Sequence, residues 1–138
     1  MLERLLVLVA LGLALGMVAF LARKGAGRRL RRAQQTPAPE LWDTLGQGPD
    51  GRPTVVAFST PSCAACHTAQ KPALAALEAL RPGAFRILEV DAAARPEVAH
   101  RFGVMTVPST AVLGGDGRLR ALNQGFANAE QLAGQLAL

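Results

Sequence analysis

Residues 55–72 read VVAFSTPSCAACHTAQKP and hold both cysteines of the chain. Thr54 to Phe58, just before them, is β-branched and apolar on both faces, the pattern of a strand buried within a sheet. From Ser62 onward the pattern becomes helical and runs to Leu80, with Leu74, Leu77 and Leu80 repeating along one side. Arg81-Pro82-Gly83 ends it, and Pro72 inside it is expected to kink it. The cysteines therefore sit where a buried strand hands over to a helix. Two residues separate Cys63 from Cys66, and His67 follows at once. A redox dithiol, half of a zinc site and a c-type haem attachment point all use such a cluster.

The position favours thiol chemistry. A helix N-terminus carries unpaired N–H groups and a partial positive charge, which stabilise a thiolate and raise its reactivity at neutral pH. Cys63 is expected at the helix start, partly exposed. Cys66, three residues on, shares its face but lies deeper. That division suits exchange: Cys63 attacks a disulfide, and Cys66 resolves the mixed disulfide that forms. His67 lies four residues past Cys63, close enough on a helix for its ring to approach that sulfur, and is a candidate modulator.

Working outward, residues 39–45 predict a short helix with Leu41, Trp42 and Leu45 on one side, and 46–53 a loop. Strands are expected over 84–90, 107–113 and 118–122, with a short helix around 96–101 and a tight turn at Gly114-Gly115-Asp116-Gly117. Asp91 is expected to end its strand and cap a turn. Asn128, with Gln131 three residues later, reads as a capping pair for a last helix to Leu138. The order α, β, α, β, α, β, β, α predicts an α/β domain. Its first two strands are parallel through a right-handed crossover, and its last two form a hairpin.

Ahead of this domain, Leu5 to Ala22 reads LLVLVALGLALGMVAFLA, 18 residues without a charge. As a helix it spans roughly 27 Å, close to the apolar thickness of a bilayer. The run RKGAGRRLRR (23–32) follows with six positive charges and no small-residue cleavage site. These features predict an uncleaved single-pass anchor in the cell membrane. The basic flank places the domain in the cytoplasm, with an extracytoplasmic domain as the alternative, and would itself lie against anionic headgroups. Gly12 and Gly16 follow the small-xxx-small spacing, which is common in membrane helices. Residues 33–40 read as a short extended linker. The division expected is 1–39 for anchor, flank and linker and 40–138 for the domain.

Charge follows the same division. Of 15 Arg and Lys and 10 Asp and Glu, residues 1–39 hold seven basic and one acidic, and residues 40–138 hold eight basic and nine acidic. The net +5 is thus an anchor property, and the near-neutral domain lacks the broad basic face that nucleic acid requires. Two cysteines also make too small a loop to staple a fold, so a bond between them is one to be made and broken.

The sequence resembles thioredoxin and its membrane-anchored relatives over about 40–138. A buried strand leads into C-x-x-C at the start of a kinked helix. VDAAARPEVAHRFGV (90–104) resembles the segment between the family's central strands, TVPST (106–110) its cis-proline loop, and GGDGRLR (114–120) followed by Gly125 its terminal hairpin. The resemblance implies a thioredoxin-like fold, a four-stranded mixed sheet flanked by helices. It implies a thiol–disulfide oxidoreductase that uses no cofactor, with Cys63 as nucleophile, Cys66 as resolving thiol, Pro108 cis, and the Val107 backbone pairing with an incoming substrate chain. Implied partners are protein or small-molecule disulfides and dithiols, a reductase or membrane electron donor, and the lipid bilayer.

The chain also departs from that pattern. Ala57 stands where thioredoxin has a buried Asp, Ser59 and Ser62 replace tryptophans, and Ala64-Ala65 replaces Gly-Pro. Pro72 lies six residues past Cys66 rather than five, and the family's first edge strand is missing. These changes bear on redox potential and substrate range. Three rival readings stand beside this one. Cys63-Ala64-Ala65-Cys66-His67 matches the haem-attachment pattern, with Met105 or His100 as axial partner, but haem modules of that kind are mostly helical. Zinc held by both cysteines with His67 and His100 would need ligands 33 residues apart in different elements. A non-catalytic module would dock peptides around Pro108 at the membrane, its dithiol idle.

Overall fold

A computed structural model describes residues 1–35 and 38–137, and the side chains of all of these except 26–35. The chain packs as two units, Met1–Arg32 and Ala33–Leu138. The first lies within helix α1 (Leu2–Gln35). Its segment Leu2–Gly25, 24 residues, is long and apolar enough to cross a membrane, as a signal sequence would also be. At 1.5 Å per residue it covers about 36 Å, and its side chains are almost all exposed.

The extended linker expected over 33–40 is not found as such. Ala33 to Gln35 continue α1, because Ala and Gln are good helix formers. Ala38 to Glu40 open the next helix, with Pro39 in its first turn, where a missing N–H costs nothing. Thr36 and Pro37 lie outside the described residues, as do the basic side chains at 28–32 and Leu138.

The second unit runs α2 (Ala38–Leu45), β1 (Thr54–Ser59), α3 (Lys71–Leu80), β2 (Arg86–Asp91), α4 (Pro96–Arg101), β3 (Ser109–Leu113), β4 (Leu119–Gln124) and α5 (Ala129–Leu136). The four strands form one sheet in the order β2-β1-β3-β4. β1 pairs in parallel with β2 and antiparallel with β3, and β3 and β4 form the hairpin. This is the mixed four-stranded sheet flanked by helices that the sequence predicts.

β1 is apolar from Val55 to Phe58 because both its faces are covered. Val56 and Phe58 join Leu41, Trp42, Val98 and Phe102 on the side of α2 and α4. Val55 and Ala57 join Leu74, Leu77 and Leu132 on the side of α3 and α5. Leu80 does not share the face of Leu74 and Leu77; it is 74% exposed. A three-residue step falls short of the 3.6-residue turn, so each repeat drifts around the helix and the third leaves the core.

Trp42 fixes the hairpin to α2. Its Nε1 donates to the Gly117 carbonyl at 2.9 Å, and a Cβ at residue 117 would lie 3.0 Å from that nitrogen. Gly117 also has φ +80°, so a side chain here would be strained by the backbone and would crowd Trp42. Arg86 lies over the Trp42 ring at 5.7 Å and reaches Asp50 at 3.5 Å.

The Arg52 side chain and backbone N–H both bond Asp50, and they hold its carboxyl down to about 2 from the usual 3.8. A carboxylate whose pKa folding depresses adds stability that is present above its unfolded value and lost as pH falls through its folded value. Asp50→Asn is therefore expected to lower the urea midpoint at neutral pH, with the gap to the parent closing between pH 3.8 and about 2. A gap that persists at the acid end would mean the carboxylate acts through packing alone.

Asn128 caps α5 as expected, accepting from the Gln131 N–H at 2.8 Å. The Gln131 side chain does not return the bond; its Nε2 donates to Asn123 Oδ1 at 3.1 Å. Asp91 closes its turn, with one carboxylate oxygen accepting from the Ala93 and Ala94 N–H groups.

Candidate active site

β1 ends at Ser59, and the chain turns through Thr60, Pro61 and Ser62 before Cys63, whose N–H donates to the Thr60 carbonyl at 3.2 Å. Helical backbone begins at Ala64. The Cys66 N–H donates to Cys63 Sγ at 3.1 Å. This is the interaction that a helix start offers to sulfur, and it would favour the thiolate once the pair is reduced. Cys63 and Cys66 are joined as a disulfide, with Cα atoms 5.3 Å apart. Cys66 is only 4% exposed, while Cys63 is half-buried, as the helical spacing predicts.

The helix after Cys66 contains a feature that the sequence reading missed. Cys66 to Gln70 forms a π-turn, in which the Lys71 N–H bonds the Cys66 carbonyl, and a regular α-helix resumes at Lys71. A π-turn takes up one more residue than an α-turn. It thereby absorbs the extra residue between Cys66 and Pro72, and Pro72 falls in the first turn of α3, where it needs no N–H partner. The proline marks the junction of the two helical windings. The signal available was the spacing from Cys66 to Pro72.

His67 is exposed, and its Nε2 lies 3.3 Å from the Pro61 carbonyl, to which the Nε2–H tautomer donates. Its described partner is thus the turn before Cys63. Gln70, which sequence reading passed over, is 3% exposed. Its amide donates to the Ala127 carbonyl at 2.9 Å and accepts from the Ala127 N–H at 3.0 Å, tying the π-turn to the start of α5.

Behind Cys66 lies a cavity of about 70 Å³, bounded among others by Ala57, Ser59, Gln70, Leu74 and Glu89. Ala57 contributes only a methyl group to this lining. Glu89, its cross-strand neighbour on β2, is an exposed residue that also borders this cavity.

The Val107–Pro108 peptide is cis. Pro108 is buried and Val107 half-buried. Among the described residues, neither the N–H nor the C=O of Val107 has a hydrogen-bond partner. A groove of about 320 Å³ runs beside it, lined by Pro96, His100, Val104, Met105 and Val107. His100 and Met105, considered as haem partners, belong to this groove, and both sulfurs of CAACH are engaged with each other. Among the described residues no group of three or more His, Cys, Asp or Glu side chains converges as a metal site would require.

The sequence model of one family, described as a thioredoxin-like domain, matches residues 47–138. The chain belongs to that thioredoxin-like family. No curated protein matches it. Among solved structures, thioredoxin-2, a component of the malaria parasite's protein secretion machinery, is 20% identical with a TM-score of 0.55, covering 62% of this chain and 82% of its own. Chloroplastic thioredoxin z is 15% identical with a TM-score of 0.56, covering 64% and 78%. MTB dsbF, in mixed oxidized and reduced forms, is 19% identical with a TM-score of 0.52, covering 63% and 80%. These likenesses establish the thioredoxin-like fold. Within it, this chain's described sheet has four strands with β2 at its edge, in keeping with the missing first strand.

Proposed function

We propose that the chain is a membrane-anchored thiol–disulfide oxidoreductase, with residues 1–39 as anchor and linker and 40–138 as the catalytic domain. What carries the reading is the Cys63–Cys66 pair at a helix start, with the outer sulfur accepting a backbone N–H and the inner one buried.

In the reduced protein, the Cys63 thiolate attacks one sulfur of a substrate disulfide. The substrate S–S bond breaks, a Cys63–substrate bond forms, and the leaving sulfur departs as a thiolate that takes a proton from water. Cys66, deprotonated, then attacks Cys63 Sγ. The mixed disulfide breaks, the second substrate sulfur leaves and is protonated, and the Cys63–Cys66 disulfide remains. Two electrons have passed from the dithiol to the substrate.

The unpartnered N–H and C=O of Val107 suit an extended substrate segment beside the sulfur, with Pro108 holding their direction. His67 is a modulator through its bond to the turn that presents Cys63. The partners are protein or small-molecule disulfides, with a reductase or membrane donor to restore the dithiol. On the cytoplasmic side, which the basic flank favours, the direction is mainly reductive.

The test is reduction of insulin disulfides by the full chain in detergent with a dithiol donor. Turnover is expected. No turnover with any dithiol donor would overturn the proposal.

A further inference from the structure

We infer that Gln124 is a positioning residue for substrate docking, the side chain that holds the Val107–Pro108 segment in its binding shape. The inference rests on the oxidoreductase reading and deepens it. Between Val104 and Ser109 the chain makes no backbone-to-backbone hydrogen bond among the described residues. The last such anchor before it is the Val104 N–H on the Ala99 carbonyl at 2.9 Å. A segment so poor in its own bonds needs outside restraint to keep one conformation.

Gln124 supplies it. It is the last residue of β4 and stands opposite Ser109, the first residue of β3. Its Nε2 donates to the Gly103 carbonyl at 2.8 Å. Its Oε1 accepts from the Met105 N–H at 3.0 Å and lies 3.3 Å from Ser109 Oγ. The Ser109 hydroxyl gives its proton chiefly to the Thr106 carbonyl, 2.6 Å away. One side chain thus ties the chain at Gly103 and Met105, before the Val107–Pro108 peptide, to Ser109 after it.

The chemistry of these contacts demands a carboxamide. A peptide carbonyl only accepts and a peptide N–H only donates, so the amide has one orientation, and neither a carboxylate nor an apolar side chain reproduces both bonds. The Met105 N–H and the Thr106 carbonyl are taken, so Val107 is the residue within 105–107 whose N–H and C=O are both without a partner among the described residues. Holding a loop in its bound shape lowers the ordering cost of association, so the effect belongs in binding rather than in sulfur chemistry. The substrate class is therefore a protein or peptide disulfide with backbone on one side of its cysteine.

The test compares Gln124→Ala and Gln124→Glu with the parent, as full chains in detergent. Both variants are expected to raise KM for insulin roughly tenfold with kcat within about twofold. The Glu variant keeps an oxygen for Met105 but sets another against the Gly103 carbonyl. A merely structural role would lower the melting temperature and leave this split absent. An unchanged KM, or a fall in kcat alone, would overturn the inference. Amide hydrogen exchange of the oxidised chain reads the tether without turnover. The Met105 N–H is expected to be protected in the parent and to exchange faster in both variants. Unchanged exchange would overturn the inference even if insulin reduction succeeds. Faster exchange in a parent-like fold that reduces no disulfide would support the tether while removing the oxidoreductase reading.

Discussion

Cys63→Ser is expected to abolish turnover of protein disulfides, by more than about a thousandfold, because a serine hydroxyl at neutral pH is a far weaker nucleophile than a thiolate. Cys66→Ser is expected to fail differently. The half-buried Cys63 still attacks, but the sulfur that should release it is gone, so a mixed disulfide with substrate accumulates and is visible on a non-reducing gel. The asymmetry follows from burial, since Cys66 is 4% exposed and reaches substrate only through Cys63. Trapping by Cys63→Ser rather than by Cys66→Ser would reverse the two roles. Parent-like insulin reduction by Cys63→Ser would remove the dithiol from the mechanism altogether.

Phe102→Ala carries the largest expected loss of stability. Phe102 is fully buried and Phe58 is 1% exposed, with ring centroids 5.4 Å apart at a 57° tilt. Phe102 follows α4 and Phe58 lies in β1, so the pair fastens the helix to the central strand. Removing a ring from such a site costs about 3–5 kcal/mol, through lost burial and the cavity left behind. A small domain has only about 5–15 kcal/mol in total. Trp42, the single tryptophan, is 3% exposed in the same core, so its fluorescence reports unfolding in denaturant. A loss below about 1 kcal/mol would mean the site refills on truncation.

The sheet was legible because its strongest signals are local. Thr54 to Phe58 is apolar on both faces, and only a strand covered twice needs that. Gly114 to Gly117 is a turn whatever surrounds it. The C-terminal end of β4 was not legible. The expected strand stops at Leu122, yet Asn123 and Gln124 belong to it and bond outward. Asn123 joins Thr110 and Gln135, and Gln124 joins the 103–109 segment. Polar partners distant in sequence leave no periodicity to read.

At the candidate site, the exposure of the two cysteines and the cis bond at Pro108 were expected, the first from helix spacing and the second from resemblance. The π-turn and Gln70 were not. Gln70 finds its partner in Ala127, just ahead of α5 and 57 residues further on, and the π-turn left only the Cys66-to-Pro72 spacing as its trace. Leu80 was misread because a three-residue repeat looks like a stripe on paper but winds around a cylinder.

The π-turn also sets where the rest of the helix points. Successive residues of an α-helix are rotated by about 100° around its axis. Were Cys66–Gln70 wound as regular α-helix, the side chains beyond Lys71 would be turned by about that angle, and Leu74 and Leu77 would swing away from the core they fill. The wider turn thus reconciles two demands on one helix, the sulfurs at its start and the leucines further along.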